Sequence, residues 1–248
     1  MSAADRGNRR RLGAVVLAVL ISQVLLYPGV PGLVVALGAP AGIDAGMWFL
    51  VAEFAAFVSF AVVWGAVSDA LGRRVPLIVV GAVGGATAYV ALAALPALGV
   101  GFAAALLVRV VGGALTIGAF SLAVTLLMDL GGGNGRNMGA AGLAIGLGAA
   151  VGSVLGGALA DLNAFYPVYA AAVVLATAGL LATTVDDRAP NDADRAPNDD
   201  APDSTGSSTA VDLREVLART RTTPGLAVPL AFGFVDRLTA GFFALVGV

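Results

Sequence analysis

The chain has 248 residues, 58% apolar and 12% charged, with a mean hydropathy of +0.92 and a formal net charge of −2; that is about half the charge a water-soluble domain needs to cover its surface. All 14 basic residues are arginine, and histidine and cysteine are absent, which removes the Schiff-base and P-loop lysine, the commonest general base, the usual zinc and haem ligands and every disulfide. A soluble fold and most enzyme classes are excluded, and neither a metal nor a cofactor is expected.

Residues 1–11, with Arg6, Arg9, Arg10 and Arg11, read as a cytoplasmic N-terminus. A helix crossing roughly 30 Å of hydrocarbon needs about 20 mainly apolar residues, and residues 12–185 supply that length six times: Leu12–Leu37, Gly46–Val67, Pro76–Leu95, Gly101–Met128, Met138–Ala160 and Ala164–Val185. The first run is about twice as long as the apolar stretch of a signal peptide, so it reads as a membrane helix and not a cleaved leader. The runs are too long, and alternate too little, for barrel strands. Residues 186–223 turn acidic: Arg188-Ala-Pro-Asn-Asp192 recurs as Arg195-Ala-Pro-Asn-Asp199 before a Ser/Thr/Gly stretch. Such a composition cannot bury enough surface to fold, and it reads as a disordered cytoplasmic linker, with a short amphipathic helix near Val211–Thr220. A partial seventh apolar helix occupies 224–248. The expected class is an all-α membrane protein, a six-helix bundle followed by part of a seventh helix.

Arginine placement sets the orientation. The N-terminus, the second connection (Arg73, Arg74), the fourth (Arg136) and the acidic segment together carry twelve arginines, whereas the odd connections around Asp44, Pro96 and Asp161 carry none. The N-terminus and the even connections are therefore placed in the cytoplasm of a multi-pass plasma-membrane protein. Trp48 and Trp64 lie sixteen residues apart, roughly 24 Å along a helix; anchoring at the two interfaces and packing within the bundle fit them equally.

The second connection reads Gly65-Ala-Val-Ser68-Asp69-Ala-Leu-Gly72-Arg73-Arg74. It resembles the signature loop of the major facilitator superfamily, in the tight cytoplasmic turn between helices two and three. Three other stretches are similar to that family: Met128-Asp129 followed by Arg136 at the fourth connection, Arg109-Val-Val-Gly112-Gly113 in helix four, and Gly148-Ala-Ala-Val-Gly152-Ser153-Val-Leu-Gly156-Gly157 in helix five. The last resembles the motif of drug/proton antiporters, with Ser153 standing where that motif has proline. Glycines four apart also form a small-residue stripe for close helix contact, which accounts for the same residues by packing alone.

Glu53 and Arg109 are the only charged residues well inside a span of residues 12–185. Buried charges there cost several kcal/mol unless they face a partner or water. Counted from the outer ends of helices two and four, both sit about 10 to 12 Å deep, so the two are expected to pair. The resemblance implies roles: Arg109 holds an anionic substrate group or tunes a carboxylate, and Glu53 loads and releases a proton. A static ion pair that fixes packing is the competing reading. The resemblance also implies that Gly65, Asp69, Gly72, Arg73, Arg74, Asp129 and Arg136 form a conformational latch; Arg73 is expected to reach Asp129, and Asp69 to face the second half of the fold.

A family member has two six-helix bundles, so the chain is expected to be an N-terminal half, stopping early in the second. Two functions follow. In the first, the chain is half of a secondary transporter exporting a small solute against protons by alternating access; in the second, it is a truncated, non-transporting remnant or scaffold that pairs with another chain through its glycine faces. Expected partners are the lipid bilayer, a small-molecule substrate, protons, and the missing C-terminal half or a partner chain, with no nucleic acid. No enzyme activity is expected; a Ser/His dyad is impossible without histidine. Tyr27, Phe54, Phe57 and Phe120 read as generic apolar lining, and Asp236 and Arg237 are unassigned.

Overall fold

Proline and glycine punctuate the apolar runs, and the helices start and stop where they fall. The computed structural model describes residues 3–131 and 133–187; the acidic linker beyond Asp187, the amphipathic stretch, the seventh helix, Asp236 and Arg237 lie outside the described residues. Helix α1 spans Ala3–Val24, nine residues earlier than the Leu12 expected for the first span. That span is not one continuous helix. Pro28 and Pro31 interrupt it, giving a 3-10 turn at Tyr27–Gly29 and a short α2, Val30–Ala36, because a proline inside a helix removes an N–H and clashes with the preceding turn.

Asp44 caps α3 (Ala45–Leu71), its carboxylate accepting from the Met47 N–H at 2.9 Å. Gly72 closes α3 in the left-handed region at φ 62°, a conformation that costs an L-residue and suits glycine. Pro76 sits in the first turn of α4 (Val75–Leu98), where its missing N–H is harmless. Then come α5 (Phe102–Met128), α6 (Asn134–Leu162) and α7 (Tyr166–Ala182). Five of the six spans are long and apolar enough to cross a membrane; α7, at 17 residues, is shorter but equally apolar.

The six spans form a bundle whose neighbour pattern is largely symmetric internally, with the α6–α7 contact lacking a comparable α3–α4 one. α3 packs on α5 and α6 on α1; α4 packs on α5 and α7 on α1; α4 meets α7, and α1 meets α5. Exchanging the first three spans with the last three reproduces this set of pairs. Three spans per repeat reverse the chain direction, giving the inverted-repeat logic of transporter bundles. Inside lie Leu12, Val15, Val19, Phe49, Ile78, Leu92, Leu127 and Leu175. Outside, Val58, Val62, Leu143, Val154, Val173 and Leu180 are each at least 64% exposed, an apolar exterior that lipid covers and water does not.

Candidate functional site

Glu53 and Arg109 meet in the bundle interior, the carboxylate accepting from the guanidinium, with side chains 1% and 4% exposed. Glycine makes the meeting possible. Gly113, one turn beyond Arg109, has no side chain, and a Cβ there would stand 3.0 Å from the Glu53 carbonyl oxygen and 3.3 Å from the Ala56 methyl. Its neighbour Gly112 faces the other way, where a Cβ would stand 3.0 Å from that of Ala88 on α4. Two adjacent glycines thus admit α3 on one flank of α5 and α4 on the other, and the charged pair sits just above the crossing.

Two rings complete the setting. The Arg109 guanidinium lies 4.6 Å from the Phe49 ring centre and 5.9 Å from that of Tyr89, within cation–π range. The Tyr89 hydroxyl donates to the Ser22 carbonyl at 3.3 Å, tying α4 to α1. Gln23 is buried, and its amide nitrogen, like Nε of Arg109, has no partner among the described residues. A narrow crevice between α4 and α5, lined by Gly85, Ala88, Tyr89, Leu92, Val108 and Gly112, reaches Arg109. Nearby on α3, Phe54 stacks edge-on to Phe57 at 5.8 Å and meets Tyr27 of the 3-10 turn at 6.1 Å. The interior polar residues therefore come from α1, α3, α4 and α5, around a charge pair that is neutral as a unit.

A second cluster lies at the end of the bundle that carries Arg9, Arg11, Arg73, Arg74 and Arg136. Asp129 ends α5 and forms an ion pair with Arg74, not with Arg73 as expected. Arg74 is the residue preceding α4 and turns its side chain inward to 19% exposure, whereas Arg73 stays exposed. Asp69, Arg73 and Arg136 are exposed and form no ion pair among the described residues. Asp187, just past α7, accepts from the Arg74 and Val75 N–H groups at 3.1 to 3.2 Å and so caps the start of α4.

A family model described as Major Facilitator Superfamily matches residues 12–248. The chain belongs to that superfamily. No curated protein and no solved structure matches it.

The superfamily is one of membrane transporters, and its helix-five motif has a clear packing use in this member. Added Cβ atoms at Gly148 and Gly152 would stand 2.9 and 3.0 Å from the Leu17 and Ile21 carbonyl oxygens, and one at Gly156 would stand 2.9 Å from the Leu25 Cα. These glycines let α6 lie backbone to backbone on α1, so the stripe is occupied within the bundle. Gly157 makes only ordinary contact, 3.9 Å from Pro28. Gly65 faces open space, and its carbonyl accepts from the Ser68 hydroxyl at 3.0 Å. Trp64 packs on Gly118 and donates from Nε1 to the Ala114 carbonyl at 2.6 Å, a packing role, whereas Trp48 is 50% exposed.

Sequence reasoning missed Phe49, Tyr89 and Asp187. Phe49 carried a signal, since it lies four residues before Glu53 on the same helical face. Tyr89, the one tyrosine of α4, carried a weaker one. Asp187 carried none, because its partners are 112 and 113 residues away in sequence.

Proposed function

We propose that this transporter exports a small solute in exchange for protons by alternating access, with Glu53 as the proton carrier and Arg109 as its counter-charge. The buried Glu53–Arg109 pair carries this reading. A carboxylate held by one guanidinium can change partners, and a proton and a cationic solute would compete for Glu53, so that binding one releases the other. Ionised Glu53 and Arg109 are neutral as a pair, which keeps the empty state tolerable within the bilayer. Arg74–Asp129 would act as part of a latch that opens as the cavity changes sides. The remaining loop residues Gly65, Asp69, Gly72, Arg73 and Arg136 are assigned to the same turn region, with the arginine-bearing end in the cytoplasm and the bundle in the plasma membrane. Residues of the second half of the superfamily fold, on this chain or a partner, would complete the pathway. The helix-five glycines are packed against α1, which counts against a scaffold that recruits another chain through them.

The test is transport in everted vesicles containing this chain assembled with the second half of the fold, with the cation ethidium as probe and an imposed pH gradient. Gradient-driven ethidium uptake is expected in the wild type and is expected to be lost in Glu53→Gln, with protein level unchanged. Equal uptake by Glu53→Gln would remove Glu53 from proton coupling, and absence of gradient dependence in the wild type would refute exchange.

A further inference from the structure

We infer that Arg9 and Asn137 form a clamp that sets the position of Asp129, and are positioning residues for the Arg74–Asp129 pair. α5 ends at Asp129, so the carbonyls around it lose their helical partners. The Asn137 amide donates to the Leu130 carbonyl at 2.5 Å and to the Met128 carbonyl at 3.4 Å. Its own oxygen accepts from Nε of Arg9 at 2.9 Å, and Nη2 of Arg9 donates to the Gly131 carbonyl at 2.9 Å. One guanidinium fork therefore joins α1, the α5–α6 turn and the start of α6.

Asn137 is fully buried, at 0% exposure, although it lies at the end of the bundle; a buried amide must find its partners inside the protein, and here they are the turn and Arg9. Carbonyls on both sides of Asp129 are held, while its side chain remains 38% exposed and free to reach Arg74. The turn needs such support because Gly131-Gly132-Gly133 follows directly, and glycine has the most backbone freedom to lose. Asn8 and Arg11 add to the brace: Asn8 exchanges two 3.4 Å hydrogen bonds with the Asp186 backbone, and Arg11 donates to the Thr184 carbonyl at 2.6 Å. The two turns of α1 that precede Leu12 thus act as more than a topology signal. Arg10 provides the contrast, since it bears the same charge next door but is exposed. Lysine would not replace Arg9, because a single ammonium lacks the planar fork that serves two acceptors in one geometry.

The clamp concerns the geometry of the turn and holds whether or not the chain moves protons, so its test avoids transport. The chain lacks cysteine, and Arg74→Cys/Asp129→Cys in the full chain, in lipid nanodiscs, can be bridged by a short bis-maleimide. Bridging yield is expected to fall several-fold on adding Arg9→Ala, Arg9→Lys or Asn137→Ala, and to be unchanged on adding Arg10→Ala. Hydrogen exchange over residues 128–137, in chains retaining Arg74 and Asp129, is expected to accelerate in the same three variants only. Arg9→Lys keeps the charge and supplies the folded comparison if Arg9→Ala is lost to misfolding. Unchanged bridging and exchange in Arg9→Lys and Asn137→Ala, or an equal loss with Arg10→Ala, would overturn the inference.

Discussion

Removing Glu53 and Arg109 separately and together is expected to give a strongly non-additive result. With side chains 1% and 4% exposed, neither charge can recover hydration when its partner is lost, and breaking a buried pair from one side costs about 3–5 kcal/mol. Glu53→Leu strands a guanidinium that cannot shed its proton. The Phe49 and Tyr89 faces at 4.6 and 5.9 Å already contact the guanidinium in the wild type and offset none of that cost, so the expected loss is about 3–5 kcal/mol, roughly a hundredfold or more in the folding equilibrium. Arg109→Met strands a carboxyl, which can neutralise itself by binding a proton, so its cost is expected to grow as pH rises while that of Glu53→Leu stays flat. Glu53→Leu/Arg109→Met removes both charges and is expected to cost less than either single change, since apolar replacement of a whole pair is often neutral. Unfolding by sodium dodecyl sulfate in mixed micelles, followed by tryptophan fluorescence at several pH values, reads all three. A double variant costing the sum of the singles would refute the reasoning, because it would mean that the charges do not stabilise one another.

Further expectations concern the seams and caps. Gly152→Ala and Gly156→Ala are expected to destabilise by about 1–3 kcal/mol through overpacking against α1, whereas Gly142→Ala and Gly146→Ala, where a Cβ meets nothing within 4 Å, are expected to be neutral or stabilising by up to about 1 kcal/mol; the same unfolding assay separates them. Trp64→Phe loses the 2.6 Å hydrogen bond to Ala114 and is expected to cost about 1 kcal/mol, with Trp48→Phe near zero in the same assay. Asp187→Ala removes the acceptor for the first N–H groups of α4 and is expected to cost about 1 kcal/mol; hydrogen exchange at residues 74–78 should rise.

The spans were legible because a bilayer demands length and apolarity in one continuous stretch, which linear sequence displays directly. The buried pair was legible for a related reason: two charges among so many apolar residues have few partners to choose from. The break in the first span was also written there, in Pro28 and Pro31, but the length rule treats a 26-residue apolar run as one helix. Which arginine meets Asp129 was not legible. Arg73 and Arg74 are adjacent, and the choice depends on how the chain leaves the left-handed Gly72 and enters α4. The Arg9–Asn137 contact spans 128 residues, and composition registers Arg9 only as one more positive charge.

The internal exchange of three-span repeats maps the α3–α5 seam onto the α6–α1 seam. The first seam contains Gly113 together with a buried acid and base, and the second contains Gly148, Gly152 and Gly156 lying against bare backbone. Glycine thus brings backbones together in both seams; the second has no ion pair among the described residues, and its charged contact, Arg9 to Asn137, lies at the end of the bundle. The ion pair is a departure from the bundle's own symmetry. Because glycine brings the backbones together in both seams, the close helix contact does not itself require the ion pair.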